Sequence, residues 1–174
     1  MQIRGANVYL RRLTPQDVSD EYVRWMNDPN VVQFLESRFK SHSKEDLQDY
    51  VKVMNADDSN FLFGLYLNDT NQHIGNVKIG PVNQVHRHAG IGLIVGKKEL
   101  WGKGLGREVI SLATDYAFSS LNLNKLTTTI YASNTASYRA FSAADYTLVG
   151  TLKKHVFSKG VYEDCVFVER CRDN

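Results

Sequence analysis

A glycine-rich turn near the middle of the chain constrains the fold more than any other stretch of the sequence. Gly102, Gly104 and Gly106 occupy alternate positions, after an apolar run of strand length and before a long helical pattern. The run covers Ala89 to Val95, and the helical pattern of apolar residues ends near Leu121. Glycine adopts backbone angles that other residues avoid and lets a ligand approach the main chain closely. The sequence therefore predicts a strand, a tight turn and a helix with an accessible N-terminus.

This turn has the properties of an anion-binding site. The first amides of a helix have no partners within the helix and lie at the positive end of its dipole. Lys103 and Arg107 would add positive charge beside those amides. Such an arrangement suits a pyrophosphate. A flexible turn at a helix entry, without a ligand, is the alternative interpretation.

Two familiar nucleotide-binding loops do not fit the spacing. A dinucleotide fingerprint requires Gly-x-Gly-x-x-Gly, usually near the start of the chain, whereas this turn reads Gly-x-Gly-x-Gly in mid-chain. A triphosphate-binding loop requires Gly-Lys followed by Ser or Thr, and the chain contains no such sequence. The turn is therefore distinct from both.

Composition places the chain in one globular domain, residues 1–174, that can form a core without disulfides. The net charge of +2, with acids and bases interspersed, gives no sign of a nucleic-acid or membrane surface. The N-terminus lacks the apolar segment of a signal peptide, and no apolar run approaches the roughly 20 residues of a membrane span. Cys165 and Cys171 lack a second pair at metal-ligand spacing. We therefore expect a cytoplasmic protein without a metal, which binds neither nucleic acid nor membrane.

The predicted elements follow the order β-α-α-β-β-β-α-β-α-β-β, which indicates a mixed sheet with helices packed on it, an α/β (α+β) layered domain. The predicted strands are Val8 to Leu13, Phe61 to Leu67, His73 to Ile79, Ala89 to Val95, Lys125 to Ala132, Tyr146 to Leu152 and Val161 to Glu169. Helices are predicted to start at Thr14, at Ser43, at the glycine turn and at Asn134. Pro29 is expected to end the first helix.

The segment Trp101-Gly102-Lys103-Gly104-Leu105-Gly106 resembles the CoA-pyrophosphate loop of GNAT acetyltransferases, whose pattern is Gln/Arg-x-x-Gly-x-Gly/Ala. Its first four residues are similar to the RimJ/RimL branch of that family, which often reads Trp-Gly-Lys-Gly at this place. Further similar segments follow in order: Trp25-Met26-Asn27-Asp28-Pro29, Tyr116-Ala117-Phe118, Leu121 to Leu126, Asn134 with Ser137, Tyr146, and Val149-Gly150. The resemblance spreads over about 160 residues. It implies a GNAT-like, mostly antiparallel central sheet with helices on both faces and a splayed strand pair. It also implies acetyl-CoA as the co-substrate.

The resemblance also implies which residues bind the cofactor. Main-chain groups of Leu93, Ile94 and Val95 would pair with the pantetheine arm, and an amide there would hold the thioester oxygen. Their side chains also fit core packing, and Asn134 fits either an N-cap or a contact with the CoA arm. The implied cofactor-binding residues are Leu93, Ile94, Val95, Trp101, Gly102, Lys103, Gly104, Leu105, Gly106, Arg107, Asn134, Ser137 and Phe141.

Two catalytic positions depart from the family pattern. Phe141 stands where many members carry a tyrosine that protonates the departing CoA thiolate, and a phenyl ring cannot donate a proton. Tyr138 and Ser142 are the neighbouring hydroxyls that could replace it, and water is the alternative. Tyr138 and Ser142 also both fit ordinary positions on a helix.

Gly90 stands where many relatives carry a glutamate base. The candidate bases are His86, His88 and, from the region of the first helix, Glu36. A histidine titrates near neutrality and suits proton removal, although the two histidines also fit an exposed polar loop. We predict His88, Glu36 and Tyr138 as the catalytic residues.

The missing carboxylate at position 90 favours a weakly basic acceptor. Deprotonating a lysine-like amine of pKa near 10.4 at pH 7 costs about 4.6 kcal/mol, against about 1.1 kcal/mol for an amine near 7.8. The segments Asn27 to Phe39 and His73 to Pro81 are similar to enzymes that acetylate nucleotide-linked amino sugars. We therefore expect a small-molecule amine as the partner, and a homodimer is compatible with the sequence. The alternatives are acetylation of protein N-termini and a non-catalytic CoA-binding domain.

Overall fold

The computed structural model describes residues 1–173, and Asn174, the last residue of the predicted single domain, lies outside the described residues. The strands are β1 Gln2–Arg4, β2 Val8–Arg12, β3 Phe61–Leu67, β4 His73–Ile79, β5 His88–Val95, β6 Lys125–Tyr131, β7 Thr147–Ser158 and β8 Val161–Cys171. They form an eight-stranded sheet with the order β1-β2-β3-β4-β5-β6-β8-β7. Neighbouring strands are antiparallel, except that β5 and β6 are parallel.

Helices cover both faces of this sheet. The α-helices are α1 Asp20–Asn27, α2 Pro29–Val32, α3 Lys44–Ala56, α4 Leu105–Ser119 and α5 Thr135–Ser142. Short 3-10 turns occupy Pro15–Asp17, Glu36–Phe39 and Lys98–Leu100. Within residues 1–173, no helix is both long enough and apolar enough to cross a membrane.

Two hydrophobic clusters lie on opposite faces of the sheet. The larger contains Val109, Ile110 and Ala113 of α4, which pack on the central strands. The smaller contains Trp25 of α1 and Val51 of α3. Side chains of a strand alternate between the two faces, so β3 contributes Phe63 to the larger cluster and Leu62 to the smaller. The helices are therefore held by apolar burial on either side of a shared sheet.

Strands β5 and β6 pair over only three positions, from His88 opposite Lys125 to Gly90 opposite Thr127. Beyond these positions β5 remains paired with β4, and β6 remains paired with β8. The two strands therefore separate and leave a gap between their facing edges. This arrangement confirms the predicted mixed, mostly antiparallel sheet with helices on both faces and a splayed strand pair.

The predicted start of the first helix is wrong. Thr14 caps only the 3-10 turn Pro15–Asp17, because Val18 has an extended backbone that interrupts the helix. Helix α1 begins after Ser19, whose hydroxyl accepts a hydrogen bond from the amide of Tyr22 at 3.1 Å. The apolar spacing was helical in both segments, so it could not show the break between them.

Other boundaries also differ from the prediction. Helix α1 ends before Pro29, as expected, but this proline then begins α2, with Asp28 as its N-cap. Strand β1 was not predicted because three residues carry too little pattern. Strands β7 and β8 continue past the predicted ends at Leu152 and Glu169. In β7 the added residues are mostly polar and exposed, so the hydrophobic alternation stops although pairing with β8 continues.

Gly96, directly after β5, packs against the indole ring of Trp25, and a Cβ at this position would collide with that ring. We expect Gly96→Ala to lower the free energy of unfolding by about 1–3 kcal/mol, because overpacking displaces a buried side chain. Urea unfolding measures this change. Gly92→Ala is the matched control, since a Cβ there meets nothing within 4 Å. Equal stability of the two variants would contradict the prediction.

Asp17 ties β2 to the turn that precedes α1. Its carboxylate accepts hydrogen bonds from Arg11 at 2.6 and 3.1 Å and from the amide and hydroxyl of Thr14 at 2.7 Å each. Burial by itself would raise the pKa of Asp17, but these hydrogen bonds outweigh it and lower the pKa to about 2. A pKa below the ordinary 3.8 gives stability that is present above pH 3.8 and lost as the pH falls through about 2.

We therefore expect Asp17→Asn to lower the free energy of unfolding at pH 7 and to weaken its fall between about pH 4 and pH 2. Urea unfolding across this pH range measures both effects. Asp49→Asn removes an exposed carboxylate paired with Lys52 and serves as the control. An acid dependence identical to that of the wild type would count against the role of Asp17.

Candidate functional site

The glycine turn leaves an open space in front of α4. Gly102 and Gly104 have left-handed backbone angles, with φ of 74° and 79°, and Gly104 is the N-cap of the helix. A Cβ at either position would meet nothing within 4 Å. The first amides of this 15-residue helix lie beside that space, at the positive end of the dipole. The turn therefore has the geometry of an anion site.

The charges around the turn favour an anion as well. Lys103 and Arg107 are exposed, and within residues 1–173 neither makes an ion pair. Glu108, the acid in the first turn of α4, is occupied by the amides of Asn7 and Val8 at 2.8 and 3.2 Å. The Glu108 carboxylate therefore points toward the start of β2. Two free cations remain beside the helix N-terminus.

Strand β5 and helix α5 bring other predicted cofactor-binding residues to the same region. Leu93, Ile94 and Val95 lie on the part of β5 that has separated from β6. Asn134 caps α5, and its side chain accepts a hydrogen bond from the amide of Ser137 at 3.2 Å. Helix α5 packs against α4. The gap is thus bordered by the glycine turn, by β5 and by the start of α5.

A cavity of about 670 Å³ lies on the α1 and α3 side of the sheet, where β5 and β6 separate. Both strands line it, with Gly90 and Gly92 from β5 and Thr127 and Thr129 from β6. A Cβ at Gly92 would meet nothing within 4 Å, so this part of the wall faces open space. The ionisable residues of its lining are Tyr22, Glu36, Lys40, His42, Asp46, Tyr50 and Lys78. Across residues 1–173, no group of His, Cys, Asp or Glu side chains could hold a metal ion.

The structure brings one of the three predicted catalytic residues, Glu36, to this cavity. His88 lies where β5 and β6 are still paired, opposite Lys125, and its ring stacks on His86 at 6.2 Å. Tyr138 is exposed on α5 and does not line the cavity. The geometry therefore favours Glu36 over the other two candidates.

Phe141 is a core residue of α5. It is only 2% exposed, and its ring meets that of Tyr146 edge-on at a centroid distance of 5.0 Å. The hydroxyl of Tyr146 is itself buried in a hydrogen bond with Thr114 at 2.8 Å. Neither ring therefore supplies a free proton donor to the gap.

Tyr131 and Arg38 were missed by the sequence prediction. The hydroxyl of Tyr131 accepts a hydrogen bond from Arg38 Nη1 at 2.7 Å and donates one to Glu36 Oε1 at 2.7 Å. Burial raises the pKa of Tyr131, the hydrogen bond to Glu36 raises it further, and Arg38 opposes both effects. Glu36 and Tyr131 are 95 positions apart, so no sequence spacing could have joined them.

His73 forms a second cluster that the sequence did not reveal. The rings of Tyr22, Trp25 and Tyr66 surround it at centroid distances of 5.0 to 5.7 Å. Burial lowers the pKa of His73, although its hydrogen bonds act in the opposite direction. The imidazole Nε2 hydrogen-bonds Asn76 Oδ1 at 2.9 Å, and Asn76 lines the cavity. The neutral imidazole therefore holds a polar group of the cavity wall in place.

Comparison with known proteins adds a family match and a structural match. The sequence model of the Acetyltransferase (GNAT) domain matches residues 7–147. An uncharacterized N-acetyltransferase, p20 of Bacillus licheniformis, is 26% identical over 153 residues, which cover 87% of this chain and 85% of the relative. A spermidine N(1)-acetyltransferase of Vibrio cholerae is 32% identical over 91 residues, which cover 52% of each protein.

A crystal structure of a spermidine N-acetyltransferase from Vibrio cholerae, in complex with CoA and spermine, is similar to this fold. Its TM-score is 0.84 at 24% sequence identity, and the match covers 94% of this chain and 95% of that chain. At this identity the likeness shows the shared fold alone.

The glycine turn makes a testable prediction about CoA. A β-branched residue is strained at the left-handed angles of Gly104 and would fill the space in front of the helix amides. We expect Gly104→Val to weaken CoA binding at least about tenfold, because a pyrophosphate bound there loses main-chain contacts. Calorimetry with CoA measures the affinity.

Gly160→Val is the matched control, since Gly160 has a similar left-handed φ of 83° and a Cβ there meets nothing within 4 Å, but it lies in the turn between β7 and β8. A melting scan shows whether both variants keep the fold. Undiminished CoA affinity in a folded Gly104→Val protein would refute the assignment of this turn.

Proposed function

The chain belongs to the acetyltransferase (GNAT) domain family, and on that premise we propose that it transfers the acetyl group of acetyl-CoA to the primary amine of a small molecule. The observation that carries this proposal is the position of the cavity, which borders both strands of the separated pair. An amine in the cavity would lie next to an acetyl group held in the gap. Direct attack by the amine on the thioester needs this proximity.

The gap between β5 and β6 would hold the acetyl-CoA. Within residues 1–173, main-chain groups on the facing edge of β5 have no strand partner beyond Gly90, so they would be available to the pantetheine arm. An amide within Leu93 to Val95 would stabilise the negative oxygen that forms during attack. Lys103 and Arg107 would bind the pyrophosphate at the N-terminus of α4.

The size and the cover of the cavity favour a small acceptor over a protein N-terminus. Its volume of about 670 Å³ lies within the range of roughly 300–1,000 Å³ that is typical of small-molecule sites. Residues of α1, of α3 and of the Glu36–Phe39 turn contribute to its walls. A protein N-terminus would need an open cleft over the sheet.

The cationic side chains of the cavity favour a nucleotide-linked amino sugar as the acceptor. Lys40 and Lys78 line the cavity, and among residues 1–173 neither makes an ion pair. Their ammonium groups would bind the phosphates, since charge-assisted hydrogen bonds to phosphate are strong. The weakly basic sugar amine would also cost less to deprotonate than a polyamine.

A polyamine is the second candidate, and the carboxylates of Glu36 and Asp46 in the same cavity favour it. The relative that is 32% identical over about half of this chain is named a spermidine acetyltransferase. Two ammonium groups of a polyamine would pair with the two carboxylates. The deprotonation penalty of about 4.6 kcal/mol for an amine of pKa near 10.4 acts against it.

A thiol-release assay with a panel of amines tests these candidates. We expect nucleotide-linked amino sugars to give a higher kcat/KM at pH 7 than spermidine, lysine peptides or N-terminal peptides. Spermidine turning over faster than every amino sugar would reverse the order of the two candidates. CoA binding without transfer to any amine would instead identify a non-catalytic CoA-binding domain.

Lys78→Met tests the phosphate interaction within the same assay. We expect it to lower kcat/KM for a nucleotide-linked amino sugar about tenfold, the equivalent of one ion pair with phosphate at about 1.4 kcal/mol. The affinity for acetyl-CoA should not change. Lys159→Met replaces an exposed lysine of the β7–β8 turn and is the control. An equal effect of both variants would exclude a specific role for Lys78.

A further inference from the structure

A hydrogen-bonded chain of three side chains leads from the cavity to the separated strand β6. Glu36 lines the cavity, and its side chain is 77% exposed. Its Oε1 accepts the hydroxyl proton of Tyr131, a residue that is only 6% exposed. Arg38 donates to the same hydroxyl oxygen and is itself fixed by the carbonyls of Leu35 at 2.9 Å and Phe157 at 3.2 Å. The hydroxyl is therefore held between a cation and a carboxylate.

The register of the parallel pair places Tyr131 beside the gap. The last paired position joins Gly90 to Thr127. Four residues further along each strand, Ile94 and Tyr131 stand on opposite sides of the gap. Thr127, Thr128 and Thr129 line the cavity, and Tyr131 contacts Phe34 and Glu36 on the same side of the sheet. Tyr131 thus lies at the level where β5 would border the thioester.

The departing sulfur of CoA needs a proton, and within the described residues none of the hydroxyl side chains of α5 lines the cavity. Phe141 has no hydroxyl and is buried in the core. Tyr138 is exposed and does not line the cavity. The hydroxyl of Tyr131 is instead hydrogen-bonded to Glu36, which lines the cavity, and Tyr131 stands on the strand that borders the gap.

We propose that Tyr131 and Glu36 form a proton relay, in which Tyr131 protonates the departing sulfur and Glu36 accepts the proton released by the amine. This inference rests on the proposed acetyl transfer and adds the route of the proton. The amine nitrogen forms a bond to the carbonyl carbon, and the carbon–sulfur bond breaks with its electron pair on sulfur. The nitrogen loses a proton to Glu36, and Tyr131 gives its proton to sulfur. Glu36 then returns a proton to the phenolate, so that both side chains end as they began.

Protonation of Glu36 reverses the direction of its hydrogen bond with Tyr131. An ionised carboxylate only accepts hydrogen bonds, whereas a protonated one can donate. The oxygen of Tyr131 would then accept from both Glu36 and Arg38, and its own hydrogen would be free to turn toward the sulfur. Uptake of the amine proton is thereby coupled to delivery of a proton to the leaving group.

The acidities of the groups agree with a relay. Burial raises the pKa of Tyr131, so its hydroxyl is protonated at neutral pH. A phenol with a pKa above about 10 is a weaker acid than a thiol near 8.5, so tyrosine by itself would be a poor donor to the thiolate. A protonated carboxyl group is a stronger acid than a phenol, so its return of a proton to the phenolate makes the overall transfer favourable.

Tyr131→Phe tests the relay, because it removes the hydroxyl and keeps a ring that can pack edge-on against Phe34. We expect kcat to fall about 10²-fold or more, with the acetyl-CoA affinity and the melting temperature close to those of the wild type. Glu36→Gln should cause a similar loss. The double variant should lose no more than the worse single variant, because two residues of one relay act as a unit.

Tyr9→Phe is the matched control. Tyr9 lies on β2, is 5% exposed, and its hydroxyl makes one hydrogen bond, to Asn71 at 3.2 Å. Its kcat should equal that of the wild type. Losses that add in the double variant would contradict the relay even if each single variant is slow.

The complex with CoA provides a second measurement that needs no acceptor. The ultraviolet absorbance of the thiolate gives the pKa of the bound CoA thiol as the pH is raised. In the wild type the Glu36 carboxylate holds the hydroxyl hydrogen of Tyr131, whereas the amide of Glu36→Gln can donate to the hydroxyl oxygen and free that hydrogen for the sulfur. A hydroxyl that donates to sulfur stabilises the thiolate, so the thiol pKa should be lower in Glu36→Gln than in the double variant Glu36→Gln/Tyr131→Phe. Equal thiol pKa values in these two variants, or an unchanged kcat in Tyr131→Phe, would overturn the role of Tyr131.

Failure of the proposed function has a different signature. A wild-type protein that binds CoA but acetylates no amine would overturn the acetyl transfer, and with it the relay. A wild-type protein that acetylates an amine at the same rate as Tyr131→Phe would overturn the relay alone. The two results cannot be confused.

Discussion

The separation of β5 from β6 is the constraint on which the rest of the structure depends. Main-chain N–H and C=O groups need partners when they are buried, and these strands stop pairing with each other after Gly90 and Thr127. Each strand stays in the sheet because its other edge is paired, β5 with β4 and β6 with β8. The edges that face the gap are left for a ligand that can hydrogen-bond to main chain. The cavity lies beside this gap, and the glycine turn follows the end of β5, so both could contact a ligand that binds in the gap.

The segment that joins β5 to the glycine turn, residues 96–98, contacts the helices on the cavity side through ion pairs and packing. Lys97 pairs with Glu21 of α1 at 2.9 Å, and Lys98 pairs with Asp28 at 2.6 Å. Gly96 allows the indole of α1 to pack directly on the main chain. The proposed donor site and the cavity are therefore held in a fixed relation, which direct transfer between two substrates requires.

The sequence predicted the elements well where a pattern was long and local. The strand before the glycine turn, helix α4 after it and the N-cap at Asn134 all agree with the structure. The break at Val18 was not predicted, because apolar spacing on either side of it is helical. The placement of His88 away from the cavity also depends on where β5 stops pairing with β6, and no local pattern marks that position.

The sequence by itself determined the glycine turn, the order of strands and helices from β3 onward, and the absence of a hydroxyl at Phe141, because these depend on residue type and near neighbours. Only the tertiary structure decided which polar groups meet. Glu36 and Tyr131 come together across 95 positions, on a 3-10 turn and a strand whose sequences give no sign of each other. The physical reason is that a hydrogen bond forms where folded segments are brought into contact. The packing of the helices against the sheet sets that contact, and the spacing of residues along the chain does not.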